Sequence, residues 1–279
     1  MSRGSGWDRF RRHKAAVASV AVFAALGAAC LAAPVLAPYQ IDAIDLGNLR
    51  APPSLTHLMG TDDLGRDVFT RMLYGGRISI AIGLLAALVG TGLGALIGAT
   101  AGFVGRRLDS VLMRFTDVAF AIPTLPLLIV LSGYSEAALI SMVTIIGGLS
   151  WMATARVVRS EVLTIRAMPY LEAARALGAA NVTMIRRHAL PNAMGPLIVA
   201  ATLAVGNAIV IESSLSFLGL GVQPPTPTWG NMLMDSQSTM ASKPWLTIFP
   251  GAAILLVVLA INFIGDGLRD SFDPRHHGG

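Results

Sequence analysis

Apolar residues along this chain arrive in long blocks rather than in the alternating or one-sided stripes of a water-soluble fold. A bilayer core about 30 Å thick takes about 20 helical residues to cross, and six runs come near that length. They cover residues 15–36, 78–101, 115–131, 137–155, 196–220 and 245–264. Pro123 and Pro126 interrupt the third, and Ser141, Thr144, Gly147 and Ser150 dilute the fourth. Membrane helices accept such residues where neighbouring helices satisfy the freed backbone groups. The pattern predicts an all-α integral membrane protein with six transmembrane helices.

Composition agrees: 54% of the 279 residues are hydrophobic and 13% charged, which excludes an ordinary soluble domain. The net charge of +5 is unevenly spread. Five Lys and Arg residues precede the first span, and three, six and two follow the second, fourth and sixth, so one side of the membrane holds 16 and the other 5. By the positive-inside rule both termini are expected in the cytoplasm. The expected organisation is a cytoplasmic tail (1–14), a first span (15–36), an extracytoplasmic segment (37–77), a membrane core (78–264) and a second cytoplasmic tail (265–279). Nucleic acid is a poor match, because the basic stretches lack the interleaved aromatics of single-strand binding. The one cysteine, Cys30, allows no internal disulfide and no thiolate metal cluster. The apolar run continues past Cys30, so a retained first helix is expected rather than a cleaved lipoprotein signal.

Within the spans, Gly90, Gly94, Gly98 and Gly102 place small residues along one helix stripe, which predicts close packing against another helix rather than a hinge. Asn207 and Glu212 lie among apolar residues of the fifth span. A charge at mid-helix costs about 2.5 to 3.5 kcal/mol on insertion scales, so Glu212 is expected to face protein or water. It either holds the bundle together or lines a route through it. Asp109, Arg114 and Asp117 are expected to cluster at the inner boundary, as are Asp266, Arg269 and Asp270. In the outer segment, Asp62, Asp63, Arg66 and Asp67 read as a turn and short helix. Thr61 or Asp62 would cap that helix, and its charges would pair on one face in a structural cluster.

The segment 156–195 is too long for a simple turn and too patterned for a linker. Pro169 can open a helix, residues 172–177 are strong helix formers, and Gly178 suits a left-handed C-terminal position. Asn181 can then cap a second helix, expected to end before Pro191. Ala173, Ala174 and Ala176 leave the first helix thin enough to lie in a groove.

The spacing of Glu172, Ala173, Ala174, Gly178 and the His188, Ala189, Leu190, Pro191 ending resembles the EAA loop of bacterial ABC importer permeases. The general pattern has Ile where this chain has His188. The ending from Arg187 to Asn192 resembles the peptide-transporter branch instead. Further blocks at 60–67, 214–221, 224–233 and 265–275 are similar to the C-type permease subunit of dipeptide/oligopeptide importers, a branch that also contains nickel, glutathione and some sugar transporters. The resemblance implies type I importer architecture, with Glu172, Ala173, Ala174, Gly178, Leu190 and Pro191 coupling this chain to ATPases. It also implies a homologous second permease, two cytoplasmic ATP-binding subunits carrying ATP and Mg, and an extracytoplasmic binding protein. No cofactor or catalysis is expected in this chain: Lys14 and Lys243 are its only lysines, and neither sits in a P-loop. A secondary transporter would need ion-coupling groups at mid-membrane, and the spans offer few. The five histidines show no helical metal-hydrolase spacing.

Overall fold

The computed structural model describes residues 6–135, 138–176 and 178–272, with the backbone alone at 6–8, 172 and 175. A short α1 (Gly6–Arg12) leads into α2 (Lys14–Leu31) and a single turn, α3 (Ala33–Leu36). After the outer segment come α4 (Val68–Val104), α5 (Arg106–Ala121), α6 (Thr124–Gly133), α7 (Leu139–Gly148) and α8 (Trp151–Arg166). The next segment holds α9 (Pro169–Ala176), α10 (Asn181–Met184), a π-helical turn (Ile185–Ala189) and α11 (Leu190–Asn192). The chain ends with α12 (Met194–Phe217), α13 (Trp229–Ser236) and α14 (Trp245–Phe272). The described residues contain no strand, only one isolated bridge between Thr61 and Asp67.

Four helices, α2, α4, α12 and α14, are individually long and apolar enough to cross a membrane. Counting the bent pairs α5–α6 and α7–α8 as one span each gives six. The bends, 79° and 44°, fall in the two runs that the sequence marks as interrupted. Ile122 is extended ahead of Pro123, as steric clash with a proline ring requires, and Pro126 sits in the first turn of α6, where its missing N–H has no helical partner to lose. At the second break the Ser150 hydroxyl donates at 2.9 Å to the Ile146 carbonyl, which also accepts from the Leu149 N–H as α7 closes.

Helix α4 is the axis of the bundle and packs on α8, α12, α7 and α2. Its 37 residues make it about 55 Å long at 1.5 Å per residue, well beyond the hydrocarbon core. It starts at Val68, ahead of the apolar run from 78, because Asp67 caps it by accepting from the Thr70 N–H at 2.7 Å. The added turns are buried against α13 and the outer segment, so Thr70 and Arg71 are shielded from lipid.

The glycine stripe of α4 receives α8 backbone to backbone. A Cβ at Gly94 would lie 2.6 Å from the Trp151 carbonyl oxygen, one at Gly102 2.9 Å from that of Arg159, and one at Gly98 would collide with that of Ala155. Without a hydrophobic drive between helices in lipid, such close contact and its dispersion energy hold them together. Gly92, on another face, has nothing within 4 Å of its Cβ position.

Glu212 closes the opposite half of the bundle. Its side chain is fully buried; the Ser216 hydroxyl donates to Oε1 at 2.8 Å and the Ser213 hydroxyl to Oε2 at 3.4 Å. The hydroxyls of Ser79 and Thr228 face the same carboxylate. Thr228 also caps α13 in a reciprocal pair with Asn231. One buried acid thus gathers hydroxyls from α4, α12 and the start of α13.

Two outcomes test this packing. Gly98→Val should lower the melting temperature of the detergent-solubilised chain, since overpacking costs about 1–3 kcal/mol or more, whereas Gly92→Ala should leave it unchanged or raised. Glu212→Ala strands buried hydroxyls at about 1–3 kcal/mol each, and Glu212→Gln, which keeps an acceptor, should be much milder in the same assay. Equal loss in the two Glu212 variants would remove the carboxylate from its holding role.

Candidate functional site

The segment between α8 and α12 folds as two helices hinged at a glycine and pressed against the far end of α4. Pro169 occupies the first position of α9, where it loses no hydrogen bond. Gly178 has φ +85°, and the Ala179 N–H reaches back to the Ala174 carbonyl at 3.1 Å, closing α9 with a Schellman arrangement. Nothing lies within 4 Å of a Cβ at Gly178, so a larger residue there meets only backbone strain.

One face of α9 is anchored and the other is exposed. Leu171 is fully buried with Phe103 of α4 and Val158, Val162 and Ile165 of α8, and Ala174 packs at the edge of that cluster. Tyr170, Ala173 and Ala176, three residues apart, form the exposed stripe, with Met168 and Val182 exposed nearby. Tyr170 clasps the second helix: its ring meets His188 edge-on at 5.8 Å, and its hydroxyl accepts from Asn192 Nδ2 at 3.3 Å.

Two expectations for the second helix are corrected. Asn181 is its first residue rather than its cap; Ala180 takes the cap position, without a side-chain bond. The helix also does not end before Pro191. A π-helical turn over Ile185–Ala189, with the Leu190 N–H bonded to the Ile185 carbonyl, widens the backbone so that the proline is carried at the start of α11. The Ala193 N–H bonds to the Ala189 carbonyl and the Leu197 N–H to that of Ala193, continuing the winding into α12. From Asn181 to Phe217 the chain is therefore almost continuously helical. Leu190 packs on the same apolar cluster while Pro191 is exposed.

Charged groups clamp α8 beside this loop. Arg159 grips Asp109 with two bonds of 2.5 and 2.7 Å, and Arg156 pairs with Asp117 at 2.7 Å. Asp109 and Asp117 thus each pair with an α8 arginine in place of the expected Arg114. At the C-terminal end, Asp270 lies 3.8 Å from His13 at the start of α2.

The remaining sequence-selected residues lie elsewhere. Asn207 is exposed on α12, on a different face from buried Glu212. The outer acidic run forms a tight turn instead of a short helix: Gly65 has φ +75°, and the helix that follows is α4, capped by Asp67 rather than by Thr61 or Asp62. Asp62 accepts from the backbone N–H groups of Leu64 and Arg66 and from Arg66 Nε at 2.7 Å. Asp63 pairs with Arg50 at 2.5 Å, and Asp67 with His57 at 2.9 Å. Arg50 and His57 were not legible as partners, since they lie 13 and 10 residues from the acids they meet.

Comparison with known proteins places this architecture. Residues 90–277 match the family described as the binding-protein-dependent transport system inner membrane component, and residues 4–53 match the N-terminal transmembrane domain of oligopeptide transport permease C. A protein of Brucella suis biovar 1, provisionally named a peptide permease, is 43% identical over 96% of this chain and 89% of its own length. The dipeptide transport system permease protein of Bacillus subtilis (strain 168) is 41% identical over 96% of this chain and 84% of its own length. The glutathione transport system permease protein of Pectobacterium atrosepticum is 40% identical over 96% and 90%. Among solved structures, a chain of the methionine ABC transporter in an inward-facing form shares the fold, with a TM-score of 0.56 and 20% identity over 71% of this chain and 95% of that one. With the family model spanning most of the membrane core and these relatives matching nearly end to end, the chain belongs to the inner membrane components of binding-protein-dependent transport systems.

Proposed function

We propose that this chain is one of two permease subunits of an ATP-driven importer for di- and oligopeptides, with its α8–α12 loop in the cytoplasm as the coupling element. The observation that carries the reading is mechanical. The exposed stripe of Tyr170, Ala173 and Ala176 sits on a helix whose other face is locked to α4 and α8, and the helix after Gly178 runs on into α12. A push on α9 by a partner therefore reaches the membrane through the helical run that continues into α12. Nucleotide chemistry, with ATP and Mg, is assigned to two cytoplasmic ATP-binding subunits. One of them seats the segment 172–178 in a groove, and Leu190 and Pro191 lie where the push enters α12.

The 16-to-5 distribution of Lys and Arg supports the orientation, with both termini and the loop in the cytoplasm. The second permease covers the exposed flank of α12, where Asn207 presents an amide between Leu203 and Val210. A bare amide facing hydrocarbon is costly, so a protein or aqueous route beside Asn207 is the better setting. An extracytoplasmic binding protein delivers the solute to the end that carries the outer segment and α13. Relatives named for peptide, dipeptide and glutathione transport share one cargo chemistry, a short peptide with charged ends.

Affinity capture of the chain from mildly solubilised native membranes should bring down a second permease and P-loop ATPases; recovery of the chain alone, under conditions that preserve such assemblies, points to a secondary transporter. In the reconstituted assembly, Gly178→Val should uncouple ATP hydrolysis from solute uptake while the chain still folds, because left-handed backbone disfavours a β-branched residue by about 1–2 kcal/mol and nothing else is disturbed. Glu172→Ala should uncouple in the same direction. Unchanged stoichiometry of ATP to solute in both variants would count against the docking role.

A further inference from the structure

Opposite the coupling loop, at the Val68 end of α4, lies a cavity of about 260 Å³ with charged and apolar walls. Arg71 and Asp235 line it, together with Asp62, Val68, Met232 and Leu246. Most of the charges here are already matched. Asp62 is taken up by two backbone N–H groups and by Arg66, with Arg71 Nε at 3.4 Å, and Asp63 is held by Arg50. Two groups are left partly unmatched. Arg71 is 2% exposed, and its buried Nη1 has no hydrogen-bond partner. Asp235 forms no hydrogen bond or ion pair among the described residues, although Arg71 is its strongest attractive neighbour. Burial raises the Asp235 carboxyl above its usual range, and the arginines only partly offset this.

A buried donor on a cation and a carboxylate only partly compensated by its neighbours are each costly on one cavity. A simple anion would satisfy Arg71 but add repulsion at Asp235 and Asp62; a simple cation would do the converse. One ligand class answers both: a small zwitterion with carboxylate and ammonium on a short apolar body that fits against Val68, Met232 and Leu246. We infer that this cavity binds a short peptide by its two charged ends, carboxylate on Arg71 and ammonium on Asp235. The inference rests on the proposed transport function only in choosing a peptide over another zwitterion.

The test is calorimetric titration of the full chain in lipid nanodiscs with L-alanyl-L-alanine, its N-acetyl derivative and its C-terminal amide. The free dipeptide should bind, and each blocked form should bind about tenfold more weakly or worse, as expected for a lost charge-assisted contact. Asp235→Asn should remove the penalty for acetylation and keep that for amidation. Arg71→Met should do the reverse; because Arg71 also braces Asp62, the Asp235 variant decides if that one fails to fold. No binding of dialanine, equal binding of the three probes, or an unaltered pattern in Asp235→Asn would overturn the site. Since the assay needs no ATPase, peptide uptake by the assembled transporter alongside a silent titration would sink this inference and leave the importer reading standing.

Discussion

The rest of the molecule depends on the backbone contact between α4 and α8. In lipid, apolar side chains gain nothing by leaving one hydrocarbon surface for another, so a helix pair is held by how closely its backbones approach. Gly94, Gly98 and Gly102 bring α4 close enough that α8 carbonyl oxygens occupy the space of absent side chains. That contact lays α8 along the lower half of α4, and the apolar cluster of Phe103, Val158, Val162 and Leu171 forms at its end. The α8–α12 segment is built on this platform.

Above the platform the structure relies on buried polarity. Glu212 with its ring of hydroxyls and Asp67 with its cap on Thr70 and its bond to His57 each join segments distant in sequence. Such networks stabilise only when nearly every partner is satisfied, because an unmatched polar group in a low-dielectric interior costs more than a made bond returns. Glu212 meets that condition, and Arg71 at the opposite wall of α13 does not. The contrast separates a group whose bonds are made within the bundle from one that keeps an unmade bond.

The two ends of α4 therefore have different mechanical characters. At one end a helix with an exposed stripe meets the helical run that continues into α12. At the other a charged turn and α13 surround a cavity. An importer needs both ends to communicate through the bundle, and α12 touches α4, α8, α13 and α14 along its length. Rotation of α12 would therefore alter the α9 end and the Glu212 network together.

The number and placement of the apolar runs, the positive-inside asymmetry and the EAA-like spacing around Glu172 and Gly178 were readable from the sequence alone, because each is a local property: hydrophobic length, charge count, or a backbone angle that suits glycine. The glycine stripe was legible as a packing face for the same reason. What packs on it was not. Tertiary structure alone decided that α8 fills the stripe and that Asp109 chooses Arg159 over nearby Arg114. It also decided that a π turn carries Pro191 instead of ending the helix, and that Asp67 starts α4 at Val68, ten residues ahead of the apolar run at 78. Those outcomes turn on which distant groups meet in a dry interior, where each unsatisfied donor or acceptor must find a partner from whatever element lies across from it.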